Sequence, residues 1–171
     1  MNTTVKIAEI IVDAETLEQT LSGSSISGKI YWQFDDYFFP EQHWYDFVLP
    51  LLCWWSSSII EMLSGSCEKT TLLYMDGPQQ MIVKVNDANT LIFECYDRYD
   101  TDVQNDPVYV FIIDQKTLLR RMVLTMTRFV EWVYRQDISL NDSLKSELEH
   151  LKENSMRIKK HLCPSVSSAD K

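Results

Sequence analysis

The spacing of apolar residues divides the chain into strand-like and helix-like stretches. Val5 to Asp13 is rich in β-branched side chains and predicts a first strand. The Ser/Gly cluster Leu21 to Ser25 predicts a loop. Lys29 to Phe39 carries Ile30, Tyr31, Trp32, Phe34, Tyr37, Phe38 and Phe39, with Asp35-Asp36 as the turn between two strands. Pro40 then fixes φ at an expected helix start, with Glu41 at the positive end of the dipole. Trp44, Phe47, Val48, Leu51, Leu52, Trp55, Ile59, Met62 and Leu63 recur at helical spacing. Pro50 should kink or split that helix, and Ser64-Gly65-Ser66 should end it.

Four short strands are expected next, over Thr70 to Met75, Met81 to Val85, Thr90 to Tyr96 and Val108 to Ile113. The connections between them are Asp76-Gly77-Pro78, Asn86 to Asn89 and the loop Asp97 to Pro107. Such short links favour antiparallel pairing, since a parallel crossover needs about a dozen residues. Asp114 is the expected N-cap of a helix that buries Leu118, Leu119, Met122, Met126, Phe129, Val130 and Val133. Ser139 with Asp142 resembles a capping box opening a last helix, whose apolar positions are Leu140, Leu144, Leu148, Leu151, Ile158 and Leu162. The pattern is α+β: a mostly antiparallel sheet with a Trp-rich helix and C-terminal helices packed on it. Residues 1–163 read as a single domain and 164–171 as a flexible C-terminal tail.

Composition narrows the class. A hydrophobic fraction of 45% excludes an intrinsically disordered chain. No basic patch followed by an apolar run opens the sequence, and the greasy stretch Phe47 to Met62 is too short and too interrupted to span a bilayer. Cys53, Cys67, Cys95 and Cys163 form no Cys-x-x-Cys pair, so reduced thiols and a cytoplasmic location are expected. The formal charge of −9 is uneven. Residues 1–114 carry 18 acidic and 5 basic side chains, a net of −13, while residues 115–171 carry 7 acidic and 11 basic, a net of +4. An acidic front repels phosphate backbones and attracts a basic partner, so neither nucleic acid nor membrane is expected as a direct ligand.

No catalytic, metal or cofactor constellation emerges. The three histidines, His43, His150 and His161, lie outside any nucleophile-elbow motif. His150 and His161 on one helix would stand about 16 Å apart, too far to share a metal. Four glycines make neither a Walker loop nor a dinucleotide fingerprint. Asp100-x-Asp102-x-Gln104 lacks the glycine and the glutamate of a calcium loop, having Asn105 and Phe111 at those places. Trp55 falls on the apolar stripe and Trp54 about 100° from it, so core packing is expected for both; an exposed Trp54 would be an interface anchor. Arg120, Arg121, Arg128, Arg135, Lys159 and Lys160 read as a solvated face offsetting the acidic sheet.

Phe39-Pro40-Glu41-x-x-Trp44-x-Asp46-Phe47, Leu52-x-Trp54-Trp55 and Tyr74-Met75-Asp76-Gly77-Pro78 together resemble small bacterial immunity proteins of polymorphic toxin and contact-dependent growth inhibition systems, over roughly residues 5–135. The resemblance implies a cytoplasmic, non-enzymatic protein that binds the C-terminal domain of a cognate toxin, in many systems a nuclease. These motifs read as structural. The surface expected to meet a basic toxin is Asp35, Asp36, Tyr37, Asp97, Tyr99, Asp100, Asp102 and Asp106. A regulatory adaptor docking through the C-terminal helices is the alternative, and a small enzyme built from scattered residues a third reading.

Overall fold

The computed structural model describes residues 4–97, 106–136 and 138–163. The first apolar stretch breaks at Ile7 into β1 (Val5–Lys6) and β2 (Ala8–Val12), which enter different sheets. A 3-10 turn (Ala14–Thr16) and β3 (Glu18–Gln19) follow. β4 (Ile26–Phe34) is the long central strand of the first sheet. It pairs antiparallel with β2 and β3, and with β5 (Tyr37–Phe39) and β6 (Tyr45–Phe47). The second sheet runs in the order β1, β10 (Tyr109–Asp114), β9 (Thr90–Tyr96), β8 (Gln80–Val85), β7 (Lys69–Leu73). Its pairs are antiparallel except for β1, which lies parallel to β10. The α+β class expected from the pattern is thus present, with the strands divided between two sheets.

The two sheets and the first helix meet in an aromatic core. Trp32 and Phe34 face inward from β4 and pack on Phe93 at 5.3 and 5.5 Å, while Phe34 stacks on Phe111 at 4.4 Å. Helix α1 (Val48–Leu63) adds Trp55, 5.6 Å from Trp32. Each such pair contributes about 0.5–1.5 kcal/mol beyond simple area burial. Helix α3 (Asp142–Leu162) packs against both α1 and α2 (Gln115–Arg135). Two edge strands are closed by side chains: Thr125 of α2 donates to the Ile10 carbonyl at 3.0 Å, and the Trp55 indole N–H donates to the Leu73 carbonyl at 2.8 Å. Covered edges do not template further pairing.

Several expectations are corrected here. Pro40 opens no helix: it follows a cis peptide bond, and the chain continues through a loop into β6 before α1 begins at Val48. Trp44 lies in that loop, where its carbonyl accepts from Ile30 and its ring packs on Tyr74 at 5.9 Å. Tertiary hydrogen bonding overrides the helical spacing at this end. Pro50 neither kinks nor splits α1, because it is the third helical residue, where an N–H has no intrahelical acceptor to lose. The cap of α3 is Asn141, whose Oδ1 accepts from Leu144 N–H at 2.9 Å; Ser139 instead offers its carbonyl to Gln19. Asp114 caps α2 as expected, accepting from Thr117 N–H at 2.7 Å. Gly65, with φ of +81°, ends α1, and Ser66 N–H reaches back to the Glu61 carbonyl. The expected tail, 164–171, lies outside the described residues.

Candidate protein-binding surface

The β4–β5 turn and the ends of the β9–β10 loop meet at one end of the molecule. Asp35, at φ +52°, occupies the left-handed turn position that Asp tolerates, which throws Asp36 and Tyr37 outward. The Tyr37 ring lies 5.6 Å from Tyr109 and 5.6 Å from Phe111 at the start of β10. Val108 N–H donates to the Cys95 carbonyl, which holds the two ends of the loop together two residues from Asp97 and from Asp106. Asp36, Asp97 and Asp106 are exposed and have no hydrogen bond or ion pair among the described residues. The Tyr96 phenol is pushed up by burial and by its bond to Glu94, with smaller contributions from charges that include Asp106.

Of the residues expected to form the interface, the structure therefore brings Asp36, Tyr37, Asp97 and Asp106 together. Asp35 has a different task. Its carboxylate accepts from Ile7 N–H at 3.0 Å and pairs with Lys6 Nζ at 3.0 Å, and both hold its pKa below the usual carboxylate value. Tyr99, Asp100 and Asp102 lie outside the described residues.

The sequence pattern missed the apolar centre of this end. Val5, Ile7, Val108, Tyr109 and Val110 are all exposed, with Val110 at 55%. Val5 pairs with Ile112, and Val110 lies two residues back on the same face of β10. Val108, Val110 and Ile112 line one face of β10, Tyr109 and Phe111 the other, so both faces of its first half are apolar. A signal was present: Val-Tyr-Val-Phe-Ile-Ile is a continuous apolar run instead of an alternating one, which marks a strand contacted on both faces. Exposed aliphatic side chains thus lie on one face of β10 and the exposed Tyr37 and Tyr109 rings on the other, with carboxylates in the adjoining turn and loop ends, an apolar centre with a polar rim of the kind protein interfaces have.

No protein-family model, curated protein or solved structure matches the chain. The motifs that carry the family resemblance nevertheless converge in space. Asp46, 2% exposed, accepts from Phe47, Met75 and Asp76 N–H and from the Trp44 indole N–H. Gly77, at φ +144°, lies under Trp44, whose ring a Cβ there would approach to 3.0 Å. The Asp46 carboxylate and the Trp44 ring thereby clamp the β7–β8 turn onto β6. Trp55 is core as expected, but Trp54 is 51% exposed.

One pairing has the form of a catalytic dyad: Ser57 Oγ stands 3.0 Å from His150 Nε2, with Asn154 Nδ2 3.4 Å from the same nitrogen. Ser57 sits in the middle of α1, where backbone N–H groups are committed to the helix ladder and none is free to serve as an oxyanion donor. Asn154 also donates to Ser56 and Ser57 at 2.9 Å each. This polar cluster joins α1 to α3. Among the described residues, no three His, Cys, Asp or Glu side chains are grouped to hold a metal ion, and no helix is long and apolar enough to cross a membrane.

Proposed function

We propose that this chain is an immunity protein that binds the C-terminal domain of a cognate bacterial toxin and neutralises it through the Tyr37–Tyr109 end. The observation that carries the reading is the coincidence, at one end of the molecule, of exposed apolar side chains and three carboxylates without an ion pair among the described residues, Asp36, Asp97 and Asp106. An apolar centre supplies affinity, and the rim charges speed encounter with a basic partner while rejecting acidic ones. A toxin that cleaves nucleic acid holds phosphates with cationic groups, so its active-site cleft is the complementary surface. Binding there excludes substrate without any chemistry by the inhibitor.

Co-expression with the toxin domain encoded beside its gene tests the reading: growth should be restored and a stable complex isolated. In purified components, reversing Asp36, Asp97 and Asp106 to Lys should slow association at least tenfold at low salt and flatten its salt dependence. Dissociation should change little. A triple variant with wild-type association kinetics would remove this end from the interface.

A further inference from the structure

Helix α1 buries ten of its sixteen residues, yet the line Phe47, Pro50, Trp54 and Glu61 faces outward along it. Helical side chains lean toward the N-terminus, so Trp54 reaches back over Pro50 toward Phe47. Tyr45, two residues before Phe47 on the same face of β6, extends the line. Tyr45, Phe47 and Trp54 are 43%, 37% and 51% exposed, making an aromatic strip about 17 Å long. It lies away from the Tyr37–Tyr109 end: Ser27, the β4 partner of Phe47, is about 26 Å along the strand from Asp35.

Carboxylates flank this strip. Glu18 accepts a hydrogen bond from the Tyr45 hydroxyl, Glu61 continues the outward line of α1, and Glu147 sits on α3 where its carbonyl accepts from the Cys53 thiol at 3.4 Å, one residue from Trp54. None of the three has an ion-pair partner among the described residues. Lys29, opposite Tyr45, is turned to Asp13 at 3.9 Å. Burial raises the Glu147 pKa, so a cation brought beside it would relieve a cost the free protein carries.

We infer that the Tyr45–Phe47–Trp54 strip is a second protein-docking surface, independent of the toxin-binding end, and that it takes a partner segment bearing arginine beside an aliphatic residue. A guanidinium can stack on the exposed indole face while pairing with Glu147, and the aliphatic side chain can lie against Phe47 and Pro50. An exposed tryptophan beside unneutralised carboxylates gives such a segment both its anchor and its charge partner.

The probe is the peptide acetyl-Gly-Arg-Leu-Arg-Gly-amide, titrated into the full-length protein and followed by amide chemical shifts and indole fluorescence. The expected result is perturbation centred on residues 45–57 and 144–150, with affinity at least tenfold above that of the Glu-for-Arg peptide. Trp54→Ala, which removes a solvent-facing side chain, should weaken binding at least fivefold, and Glu147→Gln two- to fivefold, with unchanged circular dichroism. Shifts confined to the Tyr37–Tyr109 end, or unchanged affinity in both variants, would overturn the proposal. So would Trp54-dependent self-association in sedimentation, which would assign the strip to a second copy of the chain.

Discussion

Replacing Asp46 should expose how much of the fold hangs on one carboxylate. Its Oδ2 accepts from the Trp44 indole at 3.3 Å, Met75 N–H at 3.0 Å and Asp76 N–H at 3.1 Å, and its Oδ1 from Phe47 N–H at 2.7 Å. Two of these bonds span about thirty residues and fasten the β7–β8 turn to the strand that leads into α1. A hydrogen bond to a charged group contributes about 1.5–3 kcal/mol, and donors orphaned in a partly buried site add a desolvation cost. Water can reach some of them, so Asp46→Ala should cost about 3–5 kcal/mol. Asp46→Asn keeps an acceptor for the Oδ2 donors but turns an amide N–H toward Phe47, for about 1–2 kcal/mol. At about 2–4 °C per kcal/mol for a chain this long, the alanine variant should melt about 10–15 °C lower. Urea unfolding followed by fluorescence and circular dichroism gives the free energies, and the m-value should stay constant. Trp44→Phe, which removes one donor, should fall well short of the alanine variant. An Asp46→Ala protein within 1 kcal/mol of wild type at the same m-value would show that the clamp is incidental.

Other consequences are as concrete. Hydrogen bonds from Thr117 hold the Asp114 carboxyl below its usual value of 3.8, so the stability it contributes is complete above that pH and is lost as the pH falls through the lower folded-state value. Asp114→Ala should therefore destabilise by about 1 kcal/mol near neutrality, the usual loss of an N-cap, and its unfolding midpoint should converge on that of wild type in strong acid; a constant gap down to about pH 2 would contradict this. Burial pushes the Cys53 thiol up to about 12 and raises Cys95 as well, whereas Cys67 is half-buried and Cys163 exposed. An aromatic disulfide reagent at pH 8 should titrate two thiols in the native protein and all four in denaturant; rapid loss of a third without unfolding would refute the packing around Cys53 or Cys95.

The sequence announced elements more readily than their assembly. The alternating runs placed β8 and β9 within a residue of their bounds, because half-buried strands alternate on the pleat, whereas β4 begins three residues before the expected Lys29. Asp114 was legible as a cap because its chemistry is local. Trp44 and Pro40 misled because helical spacing cannot register long-range hydrogen bonds, and here the Asp46 carboxylate and the Ile30 amide hold the segment extended. Nothing in Val5 to Asp13 indicated a division at Ile7, since that break depends on Asp35 accepting the Ile7 amide from the neighbouring turn. At the Tyr37–Tyr109 end, the polar residues were visible as an acidic cluster. The apolar centre was not, because whether a strand's second face is covered depends on what the rest of the chain packs against it.

This has a consequence for reading acidity as function. The net charge of −13 over residues 1–114 looks like one electrostatic surface, yet many of its carboxylates are engaged within the fold. Glu9 pairs with Arg121 and Glu94 with Lys84 at 2.6 Å; Asp87 folds the β8–β9 turn by accepting from Asn89 and Thr90; Asp35, Asp46 and Asp114 hold a turn, a clamp and a cap. A charge already matched by its own chain adds little to the field a partner feels, since the two potentials cancel beyond a Debye length of about 8–10 Å. Steering at the Tyr37–Tyr109 end then belongs to Asp36, Asp97 and Asp106, and these should separate under mutation from the carboxylates that hold the fold. Neutralising Asp87, at the opposite end of β9 from Asp97, or the buried Asp46 should lower the unfolding midpoint and change the association rate of the surviving folded protein little. Neutralising Asp36, Asp97 and Asp106 should do the reverse. If both sets slowed association in proportion to net charge alone, the partner would be sensing the molecule's total charge, and the Tyr37–Tyr109 end would have no special claim to it.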